Sequence, residues 1–191
     1  MSAPRGSGGA GRSGIGPLAI GTIVLAVVVL ALTGLTRACS FSPTSPSVDR
    51  GSVQRIDVAQ VARAAAGGVP FAIRAPAMPA DWIAQSSDVQ PVGPGQAFRL
   101  GWVTPENAYL RLVQSNAAED ALVASEQSGP PALGPVSAGG LTWTSYRGVR
   151  GEALWVTDVG GVRWLVTGDA TPARFTQLVT TALGSPVVPR A

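Results

Sequence analysis

The longest apolar stretch of the chain runs from Ile15 to Thr36 and contains no charged side chain. About 22 residues at a helical rise of 1.5 Å give roughly 33 Å, which is enough to cross the hydrocarbon core of a bilayer. A buried helix of a globular core is usually shorter and keeps a polar stripe, whereas Val24 to Leu32 has no polar position. The pattern therefore predicts one transmembrane helix over residues 15–36.

The residues on either side of this segment predict its orientation. Residues 1–14 are rich in Gly and Ser and contain Arg5 and Arg12 but no acid, a composition typical of a disordered tail. Basic residues beside the first apolar segment favour a cytoplasmic N-terminus, which places the rest of the chain outside. Residues 37–50 are rich in Ser and Pro and predict an extended linker.

The remaining chain is predicted to form one extracytoplasmic domain over residues 51–185, followed by a tail over residues 186–191. Its first helix is predicted over Val58–Ala66, because Asp57 can cap its start and Gly67 can end it. Phe71–Arg74 predicts a short strand, and a turn-rich segment then leads to Trp82.

Two further strand-like runs, Gln96–Thr104 and Ala108–Ser115, predict a hairpin with its tip at Pro105-Glu106. This register pairs Trp102 with Tyr109 and Phe98 with Val113, and a longer loop would shift it. Asn116 and Glu119 resemble a capping box, which predicts a helix through Glu126.

The second half of the domain predicts a meander of four strands. The strands are Val136–Ala138, Leu141–Arg147, Glu152–Asp158 and Val162–Gly168. The pair Gly160-Gly161 suits a tight hairpin turn that places Trp155 opposite Val166, Thr157 opposite Trp164, Val156 opposite Leu165 and Asp158 opposite Arg163. Both faces of this last hairpin are apolar, so Trp155 and Trp164 are expected inside and helices should cover both faces.

A final helix is predicted to begin after Thr171, with Pro172 in its first position, and to end at Gly184. Helices and consecutive hairpin strands together indicate the α+β class, with an antiparallel sheet and helices packed on it.

The amino-acid composition limits the catalytic and binding chemistry that the domain could perform. The chain has no His, and all 14 of its Lys and Arg residues are Arg. From Asp49 onward, 11 acids balance 11 arginines, so the excess positive charge flanks the predicted membrane segment and does not indicate nucleic-acid binding. Without His or Lys, the domain lacks the common bases, amine nucleophiles and imidazole ligands. We therefore predict no catalytic residue, no cofactor and no metal site.

Two residues remain as candidate sites. Cys39, the only cysteine, follows the predicted span and could be unmodified, carry a lipid, or join two copies through a disulfide. Trp82 follows a turn and is expected to be partly exposed, which makes it a candidate ligand contact. The carboxylates Glu106, Glu119, Asp120, Glu152, Asp158 and Asp169 each have a structural explanation as helix caps, first-turn acids or cross-strand partners.

The order of several motifs resembles a family of actinobacterial, mycobacterial-type single-pass membrane proteins known as domain of unknown function 4245. The motifs are Cys39-Ser40-Phe41, Pro79-Ala80-Asp81-Trp82, Gly101-Trp102-Val103-Thr104-Pro105 with Tyr109, Gln114-Ser115-Asn116, Gly140-Leu141-Thr142-Trp143 and the strand Trp164 to Gly168 followed by Phe175 and Leu178. The resemblance implies a membrane-anchored envelope protein and no particular activity.

Three hypotheses follow. The first is a non-enzymatic module of the cell envelope that binds a partner protein or a ligand. The second is a carrier or sensor of an apolar envelope molecule, a lipid or glycan, in a pocket between sheet and helices. The third is a carboxylate-dependent hydrolase, which requires two acids to converge in a cleft, with Glu119 and Asp120 as the first pair to test.

Overall fold

The computed structural model describes residues 54–190, which form a seven-stranded antiparallel sheet and three helices. In chain order the elements are α1 (Val58–Ala66), β1 (Ile83–Val92), β2 (Gly95–Val103), β3 (Tyr109–Ser115), α2 (Glu119–Glu126), β4 (Ala132–Ala138), β5 (Leu141–Arg147), β6 (Ala153–Val159), β7 (Val162–Gly168) and α3 (Pro172–Gly184). The predicted α+β class with an antiparallel sheet is confirmed for this part of the chain. The predicted transmembrane helix lies outside it, and within residues 54–190 no helix is both long and apolar enough to cross a bilayer.

The strand order β1-β2-β3-β7-β6-β5-β4 joins two meanders through β3 and β7. Alternate strand residues point to opposite faces. On the first, here called the α3 face, Trp102 and Trp164 pack with α1 and with Phe175 of α3. On the second, the α2 face, Val113 and Leu165 pack with α2. The central strands are thus covered on both sides.

The β6–β7 hairpin has the predicted register. Trp155 lies opposite Val166, and Thr157 lies opposite Trp164. Gly160 and Gly161 both have positive φ, 62° and 83°, as a primed two-residue turn requires. Trp155 and Trp164 are buried, which confirms their predicted placement in the core.

The β2–β3 register differs from the prediction by one residue. Trp102 pairs with Leu110, and Phe98 pairs with Gln114. The connecting loop is longer than two residues, because the Thr104 amide donates to the Ala108 carbonyl at 2.8 Å and Asn107 takes a φ of 65°. The predicted pairing of Trp102 with Tyr109 is therefore wrong.

The predicted strand over Phe71–Arg74 is also wrong. In this segment only Arg74 makes a bridge, to Val187. A side chain takes the place of a neighbouring strand: the Gln114 amide accepts from the Arg74 N–H at 2.7 Å and donates to its carbonyl at 2.8 Å. The segment is thus held against the sheet without joining it.

Strand β1 was not predicted, and β4 begins at Ala132, earlier than predicted. Strand β1 is an edge strand that contains Ser86, Ser87, Asp88 and Pro91, so it lacks the apolar run that identifies a central strand. Helix α2 ends at Glu126 as predicted, but it begins at Glu119, two residues after the start that the predicted capping box implies, and it has no capping box. Its N-cap is Ala118, and the Asn116 side chain accepts from the Gln96 N–H at 2.8 Å instead.

Candidate functional site

A groove lies on the α3 face, where β4, β5 and β6 meet the beginning of α3. We call it the apolar groove, and its volume is about 340 Å³. Its apolar walls are Leu133, Val136, Ala153, Trp155, Pro172 and Phe175. The two-residue period of β6 directs both Ala153 and Trp155 to this face, and the small Ala153 leaves space beside the indole.

An aromatic pair forms the floor of the apolar groove. The rings of Trp155 and Phe175 lie 4.8 Å apart and are tilted by 48°, an arrangement worth roughly 0.5–1.5 kcal/mol beyond area burial. The outer wall is Leu133, which is 59% exposed at a bulge in the edge strand β4. Arg147, the last residue of β5, lies exposed at the rim. The groove is therefore an apolar site with a cation at its edge.

A second hollow adjoins the apolar groove and shares Gly151 with it. We call it the polar hollow; its volume is about 470 Å³. Its lining residues are Tyr109, Arg150, Gly151, Glu152, Gly168 and Asp169. Asp169 accepts from the Tyr109 N–H at 2.6 Å, and Glu152 accepts from Arg150 Nε at 2.7 Å. Hydrogen bonds from its own backbone N–H and from Arg150 lower the pKa of Glu152, so this carboxylate is ionised.

The sequence did not lead us to place Glu152 and Asp169 together, although a signal was present. In the β6–β7 register, Ala153 pairs with Gly168. The next residues outward are Glu152 and Asp169, so the predicted hairpin, extended past its open end, already places them side by side. Their shared hollow follows from this register.

Trp82 is more deeply buried than expected. It is only 4% exposed, so the expectation of partial exposure is wrong. The Arg174 guanidinium lies 5.8 Å from its ring centroid and covers it. The indole Nε1 is buried without a hydrogen-bond partner, and the ring lines another hollow of about 330 Å³ beside α1. A ligand contact at Trp82 stays a prediction, and Cys39 lies outside the described residues.

The other candidate acids have separate structural partners. Glu106 pairs with Arg174, and these hydrogen bonds lower the pKa of Glu106 to about 2. Glu119 accepts from the Tyr146 hydroxyl at 2.7 Å and from Arg163 at 3.2 Å. The other carboxylates, Asp120 and Asp158, accept backbone N–H groups of Ala121 and Gly161.

Tyr146 is the partner of Glu119 on β5. Burial first and then this hydrogen bond raise the pKa of Tyr146 to about 12, so its hydroxyl stays protonated and keeps donating to Glu119. Within residues 54–190, no three His, Cys, Asp or Glu side chains are grouped so that they could hold a metal ion.

The α2 face also has a charge cluster around the buried pair of Arg99 and Glu126, which was not predicted from the sequence. Glu126, the last residue of α2, contacts Arg99 of β2 at 2.6 Å and Arg111 of β3 at 3.0 Å. Arg99 in turn contacts Asp88 of β1 at 3.2 Å. Sequence periodicity gives no signal for this cluster, because its members come from four elements that only the sheet order brings together.

Comparison with known proteins gives one match. The model of the family described as protein of unknown function, DUF4245, matches residues 14–182. The chain belongs to this family. The resemblance to domain of unknown function 4245 is thereby confirmed at the level of the family alone, and the family description assigns no activity. No curated protein and no solved structure matches the chain.

The DUF4245 match has one structural consequence. It begins before the apolar segment at Ile15 and ends within α3, so it includes the lining residues of both the apolar groove and the polar hollow. The segment and the two sites therefore belong to one family unit.

Proposed function

We propose that the protein is a single-pass membrane protein of an actinobacterial cell envelope, and that its extracytoplasmic domain is a non-enzymatic module that binds an apolar chain in the apolar groove. The observation that supports this most directly is the groove itself. A cavity of about 340 Å³ with aromatic and aliphatic walls lies in the range of small-molecule sites, roughly 300–1,000 Å³. Each methylene buried there contributes about 0.8 kcal/mol.

The membrane assignment rests on the sequence. The uncharged segment over residues 15–36 is long enough to span a bilayer, and Arg5 and Arg12 before it favour a cytoplasmic N-terminus. The linker over residues 37–50 could reach about 50 Å when fully extended. The domain would then stay close to the membrane, where molecules with long apolar chains are abundant. The use of Arg without Lys supports an actinobacterial source.

A partner protein is the second candidate occupant. Leu133 on the edge strand β4 is exposed, which favours a contact there. Pro135 and the bulge at Leu133 oppose the addition of another strand to this edge, because proline has no N–H to donate and a bulge interrupts the ladder. We therefore favour a ligand that inserts into the groove over a strand that pairs with its rim.

Photolabelling tests this proposal. The full chain is placed in lipid nanodiscs and irradiated with a long-chain alcohol that contains a diazirine, and labelled peptides are identified by mass spectrometry. We expect label on residues around Trp155 and Phe175. Ala153→Trp fills the groove and should abolish this labelling. Ala64→Trp, on the exposed side of α1, is the matched control and should leave it unchanged.

Labelling that Ala153→Trp does not reduce, in a variant that circular dichroism shows to be folded, would contradict the apolar groove as the site. A cross-link between the domain and another protein would instead support the partner-protein hypothesis if Leu133→Asp abolished it and Ala153→Trp did not.

A further inference from the structure

The apolar groove and the polar hollow adjoin at Gly151. The space where a Cβ of Gly151 would stand is open. The hollow lies at the end of the sheet where β6 begins and β7 ends, directly beside Ala153 of the groove. A molecule with an apolar chain in the groove would thus present its head to Arg150, Glu152 and Asp169.

We propose that this combined site takes an amphiphile with a neutral head rich in hydroxyl groups, as in a glycolipid. This inference rests on the proposed function, since the chain must first occupy the apolar groove. It adds the chemical class of the head, which the groove alone does not determine.

The charges around the hollow favour a neutral head. Two cations, Arg147 and Arg150, and two carboxylates, Glu152 and Asp169, line the combined site, so their charges sum to zero. An anionic head would meet the two carboxylates, and a cationic head would meet the two guanidinium groups. Hydroxyl groups suit both, because they donate to carboxylates and accept from arginine.

The hydrogen bonds within the hollow leave acceptor capacity for a ligand. An ionised carboxylate offers about four lone-pair sites. Asp169 is exposed, and the bond that fixes it to the Tyr109 N–H uses one of them. Glu152 accepts hydrogen bonds from the backbone N–H and the guanidinium of Arg150, which orient its carboxylate. Both acids are therefore oriented acceptors that directly flank β6 and β7.

Glu152 is better suited to recognition than to acid catalysis of glycoside cleavage. Hydrolysis needs one carboxyl that is protonated at working pH, so its pKa must be raised. The pKa of Glu152 is lowered instead, because its own backbone N–H and Arg150 both donate to the carboxylate. Glu152 therefore accepts from hydroxyl groups and is not the proton donor that hydrolysis requires.

Competition against the photoreactive alcohol tests the head group. The full chain in nanodiscs is offered competitors that share one alkyl chain and differ in the head: glucoside, phosphate, phosphocholine or trimethylammonium. We expect the glucoside to compete about tenfold better than the others, which is the effect of one charge-assisted hydrogen bond. Glu152→Gln with Asp169→Asn should remove this preference, and Asp158→Asn at the opposite end of the hairpin should retain it.

These variants distinguish the proposal that the apolar groove binds a chain from the proposal that the polar hollow binds a hydroxyl-rich head. The amide oxygen that Asp169→Asn introduces can still accept the Tyr109 N–H, so the fold is expected to survive, and the midpoint of thermal unfolding checks it. Equal competition by all heads, or a preference for phosphate or phosphocholine, would overturn the hydroxyl-rich head while leaving the apolar groove intact. Loss of the Ala153→Trp effect would instead overturn the groove itself.

Discussion

Arg174 joins two distant parts of the domain through one side chain. It lies in the first turn of α3, hydrogen-bonds the carboxylate of Glu106 in the β2–β3 loop, and covers the ring of Trp82. Asp81 adds a further favourable charge. The contact joins the β2–β3 loop to the start of α3, the part of the helix that contains Pro172 and Phe175 of the apolar groove.

This pair predicts an acid-dependent loss of stability. The pKa of Glu106 is about 2 in the folded chain, against an ordinary 4.5. A lowered pKa means that the unfolded chain takes up the proton first, so the pair stabilises the fold above about pH 4.5 and this contribution disappears as the pH falls towards 2. Glu106→Gln should lower the thermal midpoint at pH 6 and have no effect near pH 2.

Because Glu106 is 55% exposed, the effect should be small and weaker in high salt. Arg174→Gln should remove the same pH-dependent contribution and add a loss that remains at pH 2, since it also removes the contact with Trp82. A difference between wild type and Glu106→Gln that stayed constant down to pH 2 would show that the pair does not account for it.

Single residues explain where sequence-based prediction failed locally. Asn116 is a residue type that often caps helices, but its side-chain oxygen accepts a hydrogen bond from the Gln96 N–H of β2 instead. Trp82 follows a turn and looked exposed, but Arg174 from the far end of the chain covers it. Both errors have one cause: the competing partner is distant in sequence, and local rules cannot include it.

At the scale of elements, α2 is short and depends on the sheet. A helix of eight residues is marginal by itself, and its N-cap Ala118 provides no side-chain hydrogen bond. Leu122 and Val123 pack on the sheet, and ion pairs hold both ends: Glu119 to Arg163, and Glu126 to Arg99 and Arg111. An acid at a helix C-terminus is unfavourable for the macrodipole, and the two arginines offset this.

Removing the charge of Glu126 should destabilise the domain. Its side chain is 2% exposed, and Arg99 beside it is 9% exposed, so Glu126→Gln removes the nearer counter-ion of a buried cation and leaves it only the partly exposed Asp88. Loss of one member of a buried pair typically costs 3–5 kcal/mol. We expect the free energy of unfolding in urea to fall by about 3 kcal/mol.

Asp120→Asn is the control, because Asp120 lies in the first turn of the same helix with only a local backbone contact. It should change the free energy by less than about 1 kcal/mol. If Glu126→Gln cost no more than this control, the cluster would not hold α2 to the sheet.

The elements that sequence predicted best are bounded by strong local signals. Helix α1 and strands β5 and β7 have the predicted limits, because glycine turns or a capping aspartate mark their ends. Strand β1 lacks such a pattern, since an edge strand needs no apolar run. The apolar groove could not be predicted, because it forms only when the sheet order brings Leu133 and Ala153 beside the start of α3.

At the scale of the whole molecule, the two meanders are similar in order but not related by one rotation. Each consists of consecutive strands followed by a helix, and β3 and β7 meet antiparallel at the centre. A rotation that exchanges these strands has its axis normal to the sheet and would keep both helices on one face. Helices α2 and α3 lie on opposite faces, so the similarity of order gives no support for an internal duplication.

The proposed topology predicts which residues are accessible from outside the cell. In a Cys39→Ser background, Ala64→Cys on the exposed side of α1 should react with a membrane-impermeant maleimide in intact cells. Ser7→Cys in the predicted cytoplasmic tail should react only after lysis. The reverse pattern, or equal labelling of both variants before lysis, would contradict a cytoplasmic N-terminus. The amount of each variant on immunoblots controls for differences in expression.

The pairing of β3 with β7 also determines when the domain can complete its folding. Leu110 pairs with Gly168 and Ser115 with Arg163, separations of 58 and 48 residues along the chain. The inner edge of β3 therefore has no partner until β7 has been synthesised, and native contacts this distant form slowly, in milliseconds to seconds for β-rich domains. If the chain is exported as proposed here, this delay would keep it unfolded during translocation. The sheet would then be completed only after β7 had crossed the membrane.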